Sequence, residues 1–357
     1  MNSLKNEGSA KNSSLNNDAL NLLMVIIAAL LVILIVTGVY LAAVGISSRA
    51  NGGKENNGGE GEGIMSSTDA TYPFRQDITV LSPEYDDNSS LVISSSEIHS
   101  DYALLIDVTN NKVIASRKYE QIIYPASMTK VMTLIVAIES LPYESSMDEV
   151  ITVSESVVKA MAREGASGYG FKAGDKLTVR ELLYAAILQS DGVACIELAN
   201  YIAGSEDNFV KLMNDKAAEM GLTKTNFTNC TGLHSKSHFS TCKEIAMIMS
   251  YAMQNTFCAN ILSAKSYVLS SNFRADGYTY TLYHATLTTR FDNLRPTFST
   301  VNVVGAKSGW TGSESGYCMV SFAIGKNNNK YLLVTANAPG KNDAVADMET
   351  IYNAYAK

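Results

Sequence analysis

Charge is scarce in this sequence of 357 residues: Asp, Glu, Lys and Arg together make up 18%, against 46% hydrophobic residues. That balance excludes a disordered chain and leaves room for one large core. Excess positive charge is missing too, because the formal net charge is −7. Without a basic footprint, nucleic acid is not an expected partner. Cysteine is sparse, and Cys195, Cys230, Cys242, Cys258 and Cys318 are too scattered for a disulfide scaffold. No Cys-x-x-Cys pair points to zinc. No Gly-x-Ser-x-Gly occurs, so the elbow of His-dependent α/β-hydrolases is absent. His234 and His238 are four apart, but Gly232 and the polar run between them indicate a loop, and no acidic third ligand accompanies them. A metal is therefore not expected. The sequence carries no internal repeat.

One long stretch lacks charge altogether. Residues 19–48 contain no Asp, Glu, Lys or Arg, and residues 20–46 are almost wholly apolar. As a helix this run reaches roughly 40 Å, enough to cross a bilayer core of about 30 Å. A buried soluble helix would show a polar stripe, and this run shows none. It also exceeds the roughly 7–15 apolar residues of a cleaved signal peptide. The expectation is a cytoplasmic tail over 1–19 and an uncleaved single-pass membrane anchor over 20–46. Lys5 and Lys11 before the span balance Arg49 and Lys54 after it, so flanking charge scarcely sets orientation. Residues 51–63 are built from Gly, Asn, Glu and one Lys and cannot bury a core. Residues 64–95 stay polar and turn-rich, with Pro73 and Pro83, so a flexible linker is expected over 47–95 and a folded domain over 96–357.

Within that domain, residues 102–108 and 113–116 read as strands joined by an Asn-rich turn. Apolar residues after Pro125 predict a helix beginning at or near Ser127. Residues 177–199 carry helical patches on both sides of a break at Gln189-Ser190-Asp191-Gly192. Residues 209–220 have helical periodicity, with Gly221 as a C-cap. Three alternating segments follow at 301–308, 317–324 and 331–336, and 343–356 closes as an amphipathic helix. Strands at both ends around a helical middle define an α+β domain.

Three short segments carry candidate chemistry. In Pro125-Ala-Ser127-Met-Thr-Lys130, positions i and i+3 share a helix face, which puts the Lys130 amine beside the Ser127 hydroxyl. A serine is a weak nucleophile, and a lysine with a depressed pKa can serve as its base. Ser190-Asp191-Gly192 places a second hydroxyl in a turn, where it can relay a proton to a leaving amine. Lys307-Ser308-Gly309-Trp310 ends a strand; the ammonium and hydroxyl can hold a carboxylate, and Gly309 permits close approach. Each segment alone also fits an ordinary turn, helix start or strand end.

In this order the three segments resemble the signature set of penicillin-binding proteins and serine β-lactamases. Tyr124-Pro-Ala-Ser-Met-Thr-Lys-Val-Met-Thr133, Phe171-Lys-Ala-Gly-Asp175, Leu182-Leu-Tyr-Ala-Ala-Ile-Leu-Gln-Ser190 and Gly305-Ala-Lys-Ser-Gly-Trp-Thr311 are similar to low-molecular-weight D-alanyl-D-alanine carboxypeptidases. The resemblance implies a β-lactamase/transpeptidase-like fold, with an antiparallel five-stranded sheet flanked by helices and a helical subdomain. It also implies a serine carboxypeptidase that removes the terminal D-alanine from peptidoglycan stem peptides, with β-lactams acylating the same serine. Ser127 would be the nucleophile, Lys130 its base and Ser190 the proton relay. The N–H groups of Ser127 and Trp310 would form the oxyanion hole. Lys307, Ser308, Gly309, Trp310 and position 192 would contact substrate. Such chemistry requires the domain to lie outside the cytoplasmic membrane.

Position 192 departs from the family pattern, which has asparagine there, and Val193 replaces the aspartate that follows. A membrane-tethered, non-catalytic binder of muropeptides or β-lactams is the alternative from another class. A class A β-lactamase would need a separate deacylating glutamate, and no Glu-x-x-Leu-Asn follows the second motif.

Overall fold

The computed structural model describes residues 74–357. The tail 1–19, the expected span 20–46 and residues 47–73 of the expected linker lie outside the described residues.

The main sheet contains β1 (Leu91–Val92), β2 (Tyr102–Asp107), β3 (Lys112–Arg117), β4 (Val301–Gly309), β5 (Tyr317–Gly325) and β6 (Lys330–Ala338). Its order is β1-β3-β2-β6-β5-β4, so the first and last parts of the domain meet at its centre through the β2–β6 pair. Five strands pair antiparallel, as the resemblance implies. The sixth, β1, has two residues and runs parallel to β3, which makes the sheet mixed.

The β1 pairing corrects the expected linker. Residues 74–95 are built into the domain: Phe74 is fully buried against Phe257, and its carbonyl accepts from Asn255 Nδ2 at 3.0 Å. Gln254 Nε2 donates to Thr79 O at 3.1 Å, and Leu81 and Ile93 are buried. These apolar anchors are too widely spaced to form a periodic pattern, so local composition reads as linker.

Both faces of the sheet are covered, which explains why its central strands are apolar at successive positions. Leu104, Ile106, Val320, Phe322, Leu332 and Val334 face one core; Ala103, Leu105, Met319 and Leu333 face another. The helices of eight or more residues are α1 (Lys130–Glu139), α2 (Glu155–Arg163), α3 (Val179–Leu188), α4 (Gly192–Ala203), α5 (Glu206–Glu219), α6 (Cys242–Gln254), α7 (Thr256–Ser263) and α8 (Lys341–Tyr355). α8 covers the second face with Val345, Met348, Ile351 and Tyr352. α6 packs on the first face, and α1 sits at the centre among α3, α4, α5 and α6.

All ten residues of α1 are buried, in keeping with a helix that is apolar nearly all round. Its polar end is matched within the interior: Glu139 accepts from Lys216 Nζ at 2.8 Å and from the Tyr251 hydroxyl at 2.7 Å, tying α1 to α5 and α6. α3 begins with a capping box between Thr178 and Glu181, and the Asp191 side chain caps α4. All five cysteines are buried free thiols.

Candidate active site

The chain reaches α1 through a 3₁₀ turn, Ala126–Thr129, so Ser127 precedes the helix and Lys130 is its first residue. This turn keeps the two side chains on one side. Lys130 Nζ lies 3.0 Å from Ser127 Oγ and donates to Thr231 O at 2.5 Å. Lys130 is 2% exposed, and burial pushes its pKa below the ordinary lysine value, partly opposed by the nearby Cys195, Cys230 and Asp191. An amine thus biased toward its neutral form can accept the serine proton.

The loop that receives Lys130 is organised by Asn229, which the motif reading missed. Asn229 Oδ1 accepts from Gly232 N at 2.7 Å, Leu233 N at 3.1 Å and Thr231 N at 3.2 Å. Gly232, at φ +82°, then packs so tightly on the Ala126 carbonyl that no Cβ fits there. The turn residues Asn229-Cys-Thr-Gly232 were the available signal. His238 supports the same region from within. Its Nδ1 accepts from Thr228 N at 3.1 Å, so Nε2 carries the proton toward Thr129 Oγ1 at 2.8 Å. Burial lowers its pKa to about 4, which keeps it neutral and makes it a satisfied structural histidine.

Ser190 occupies the break between α3 and α4 at φ +55°, a conformation that costs a non-glycine residue about 1–3 kcal/mol. There its Oγ accepts from Lys307 Nζ at 3.0 Å, and Lys307 also donates to Ser308 O at 2.8 Å. Burial drives the Lys307 pKa well below normal, with Lys130 and Arg290 adding to the effect. Two serine–lysine pairs, Ser127–Lys130 and Ser190–Lys307, therefore share one site.

Gly309 brings edge strand β4 against the nucleophile. A Cβ on Gly309 would lie 2.7 Å from Ser127 N and 3.0 Å from Pro125 O. Trp310 follows, 54% exposed and stacked on Tyr317 with ring centroids 5.8 Å apart. A cleft of about 500 Å³ opens here, lined by Ser127 and Lys130, by residues 164–167 and 231–234, and by Trp310, Thr311 and Gly312.

Gly192 is not among the residues that line this cleft. Its N–H donates to Ser167 O at 2.9 Å, and a Cβ would meet Ala166 Cβ at 2.9 Å and Met161 Sδ at 3.1 Å. The Asp191 carboxylate accepts from Ala194 N at 2.9 Å and Tyr169 N at 2.7 Å. The remaining predicted residues, Ser127, Lys130, Ser190, Lys307, Ser308, Gly309 and Trp310, are brought together.

A profile described as peptidase S11, D-alanyl-D-alanine carboxypeptidase, matches residues 89–340. The chain belongs to this family. The D-alanyl-D-alanine carboxypeptidase DacF of Bacillus subtilis is 30% identical over 237 residues, 66% of this chain and 57% of that protein. DacC of Escherichia coli is 35% identical over 148 residues, 41% of this chain and 37% of that protein. The chain thus spans about half or less of the length of these relatives. A D-alanyl-D-alanine endopeptidase of Pseudomonas aeruginosa is 29% identical over 255 residues, 70% of this chain and 75% of that protein. Among solved structures, a serine-to-alanine mutant of the Streptomyces K15 DD-transpeptidase superposes with a TM-score of 0.63 at 22% identity. It covers 72% of this chain and 97% of that one, and shows the shared fold.

Proposed function

We propose that this protein is a serine D-alanyl-D-alanine carboxypeptidase acting on peptidoglycan stem peptides and acylated by β-lactams. The observation that carries the reading is the 3.0 Å contact between Ser127 Oγ and a buried, pKa-depressed Lys130 at the floor of an open cleft. Lys130 accepts the Ser127 proton as Oγ bonds to the carbonyl carbon between the two D-alanines. The N–H groups of Ser127 and Trp310 serve as the oxyanion hole, where one such donor contributes about 3 kcal/mol. Collapse of the tetrahedral intermediate breaks the C–N bond, and the leaving amine takes a proton through Ser190, the hydroxyl held by Lys307. Water then hydrolyses the acyl-enzyme by the reverse proton path. Lys307 and Ser308 hold the terminal carboxylate of the substrate, and the reaction uses no metal or cofactor.

The uncharged run 20–46 supports single-pass attachment to the membrane, with the domain on the extracytoplasmic side where peptidoglycan is found.

The test uses the protein and its Ser127→Ala variant with an acyl-D-Ala-D-Ala peptide, following D-alanine release, and with a fluorescent penicillin. Release and labelling that both vanish in the variant are expected. Labelling of the wild type without release from several peptides would overturn the hydrolase and favour a binder.

A further inference from the structure

The turn Ala285–Arg290 belongs to none of the three motifs, yet it closes a ring of hydrogen bonds around them. It winds with π-helical bonding, and His284 caps it. His284 Nδ1 accepts from Thr286 N at 3.1 Å and Leu287 N at 3.2 Å, so the ring is a fixed acceptor there. Burial lowers the His284 pKa to about 3, which keeps that acceptor at working pH. Thr286, 1% exposed, donates through Oγ1 to Ser308 Oγ at 3.0 Å. On the other side, Gln189 Nε2 donates to Tyr283 O at 2.6 Å. Gln189 adjoins Ser190, Ser308 adjoins Lys307, and Lys307 Nζ donates to Ser190 Oγ at 3.0 Å. Main chain and hydrogen bonds thus run continuously through 189–190, 307–308 and 283–286 and return to their start.

The position of this ring has a consequence for substrate choice. On the carboxypeptidase reading, Ser190, Lys307 and Ser308 mark the side on which the amine departs. None of these three lines the open cleft, which is walled by residues 164–167, 231–234 and 310–312 around Ser127 and Lys130. A substrate cleaved at an internal bond must lead its chain past the leaving residue. That path would separate Thr286 from Ser308, a half-buried hydrogen bond, or Gln189 from Tyr283, an exposed one. Family relatives carry both names, carboxypeptidase and endopeptidase, at similar identity, so shared motifs alone do not set this choice.

We propose that the ring closes the leaving-group end of the site, and that Thr286 and Gln189 are the specificity-determining residues that restrict the enzyme to a terminal residue. The proposal rests on the carboxypeptidase reading. Its test uses the full chain and two peptides, an acyl-D-Ala-D-Ala and the same peptide extended by one glycine at its C-terminus. Wild type is expected to prefer the shorter by about a hundredfold, about tenfold for each of the two hydrogen bonds that would have to open. Thr286→Ala and Gln189→Met are each expected to shrink that preference about tenfold, whereas Thr286→Ser, which keeps the donor, retains it. A merely structural role would lower both rates and leave the ratio alone. Fluorescent penicillin labelling confirms that each variant is folded, and Gln189, at the less buried end, carries the test should Thr286→Ala misfold. An unchanged ratio in labelled variants, or a wild type that cleaves both peptides equally, overturns the ring. Absence of release from either peptide in the wild type overturns the carboxypeptidase reading, and this proposal with it.

Discussion

Replacing Gly309 by alanine should disable the site with little effect on the fold. The added methyl would sit 2.7 Å from Ser127 N, 2.9 Å from Ala126 Cβ and 3.0 Å from Pro125 O, two of them backbone atoms. Ordinary contact begins near 3.4 Å, so strand and nucleophile turn must separate by roughly 0.7 Å. The turn has little freedom to retreat, because Ala126 is held at φ +48° with Gly232 packed against its carbonyl. β4 must therefore yield, and Trp310 N–H moves with it away from Ser127 N–H. Displacing an oxyanion donor or misplacing reacting groups on this scale costs about a hundredfold in rate, or about 3 kcal/mol. The overpacking itself should cost roughly 1–3 kcal/mol of stability, which leaves a folded protein. The assay is the second-order rate of penicillin acylation, with D-alanine release alongside. Gly305→Ala on the same strand is the control: there a Cβ meets the Sδ of Met253 at 3.2 Å, a flexible side chain that can move, so acylation should stay within about twofold. Acylation of Gly309→Ala within about threefold of wild type would refute the argument.

Two further outcomes follow from the same packing. Restoring the family asparagine by Gly192→Asn should lower the melting temperature and not raise turnover, because its Cβ would collide with Ala166 and Met161, at a cost of about 1–3 kcal/mol; a more active variant with unchanged melting would contradict this. His238, whose pKa falls from 6.5 to about 4 on burial, stays neutral when the unfolded chain begins to protonate. Its contribution to stability is complete above pH 6.5 and declines by up to about 3 kcal/mol as pH falls to 4, so unfolding measured across that window should flatten in His238→Gln.

Much of this site was legible because sequence spacing became proximity directly. Ser127 and Lys130 are three apart, and the 3₁₀ turn leading into α1 keeps them within 3.0 Å. The break at Gln189-Ser190-Asp191-Gly192 separates α3 from α4 as its turn chemistry predicts, and the alternating C-terminal segments are β4, β5 and β6. What escaped was chemistry without a period. The turn Ala285–Arg290 winds with π-helical bonding, so the 3.6-residue template does not find it, and the His284–Thr286–Ser308 link is visible only once β4 lies beside it. Residues 74–95 read as linker for a related reason: Phe74, Leu81 and Ile93 bury in the domain, but the short apolar runs that hold them are separated by polar, turn-rich residues. Asn229 gains its importance from three backbone N–H groups converging on one oxygen, a feature of loop conformation.

The altered second motif divides its labour between chemistry and architecture. Of its three residues Ser190 is the one bonded to Lys307, and it sits at a costly positive φ immediately before α4. Asp191 spends one oxygen on capping that helix and the other on Tyr169 N, while Gly192 N–H reaches Ser167 O. These bonds dock the segment 164–169 onto the motif, and its residues Glu164, Gly165, Ala166 and Ser167 become one wall of the cleft. An asparagine at 192 would need the space that Ala166 and Met161 now fill. The missing amide and the closely packed wall are thus one structural choice.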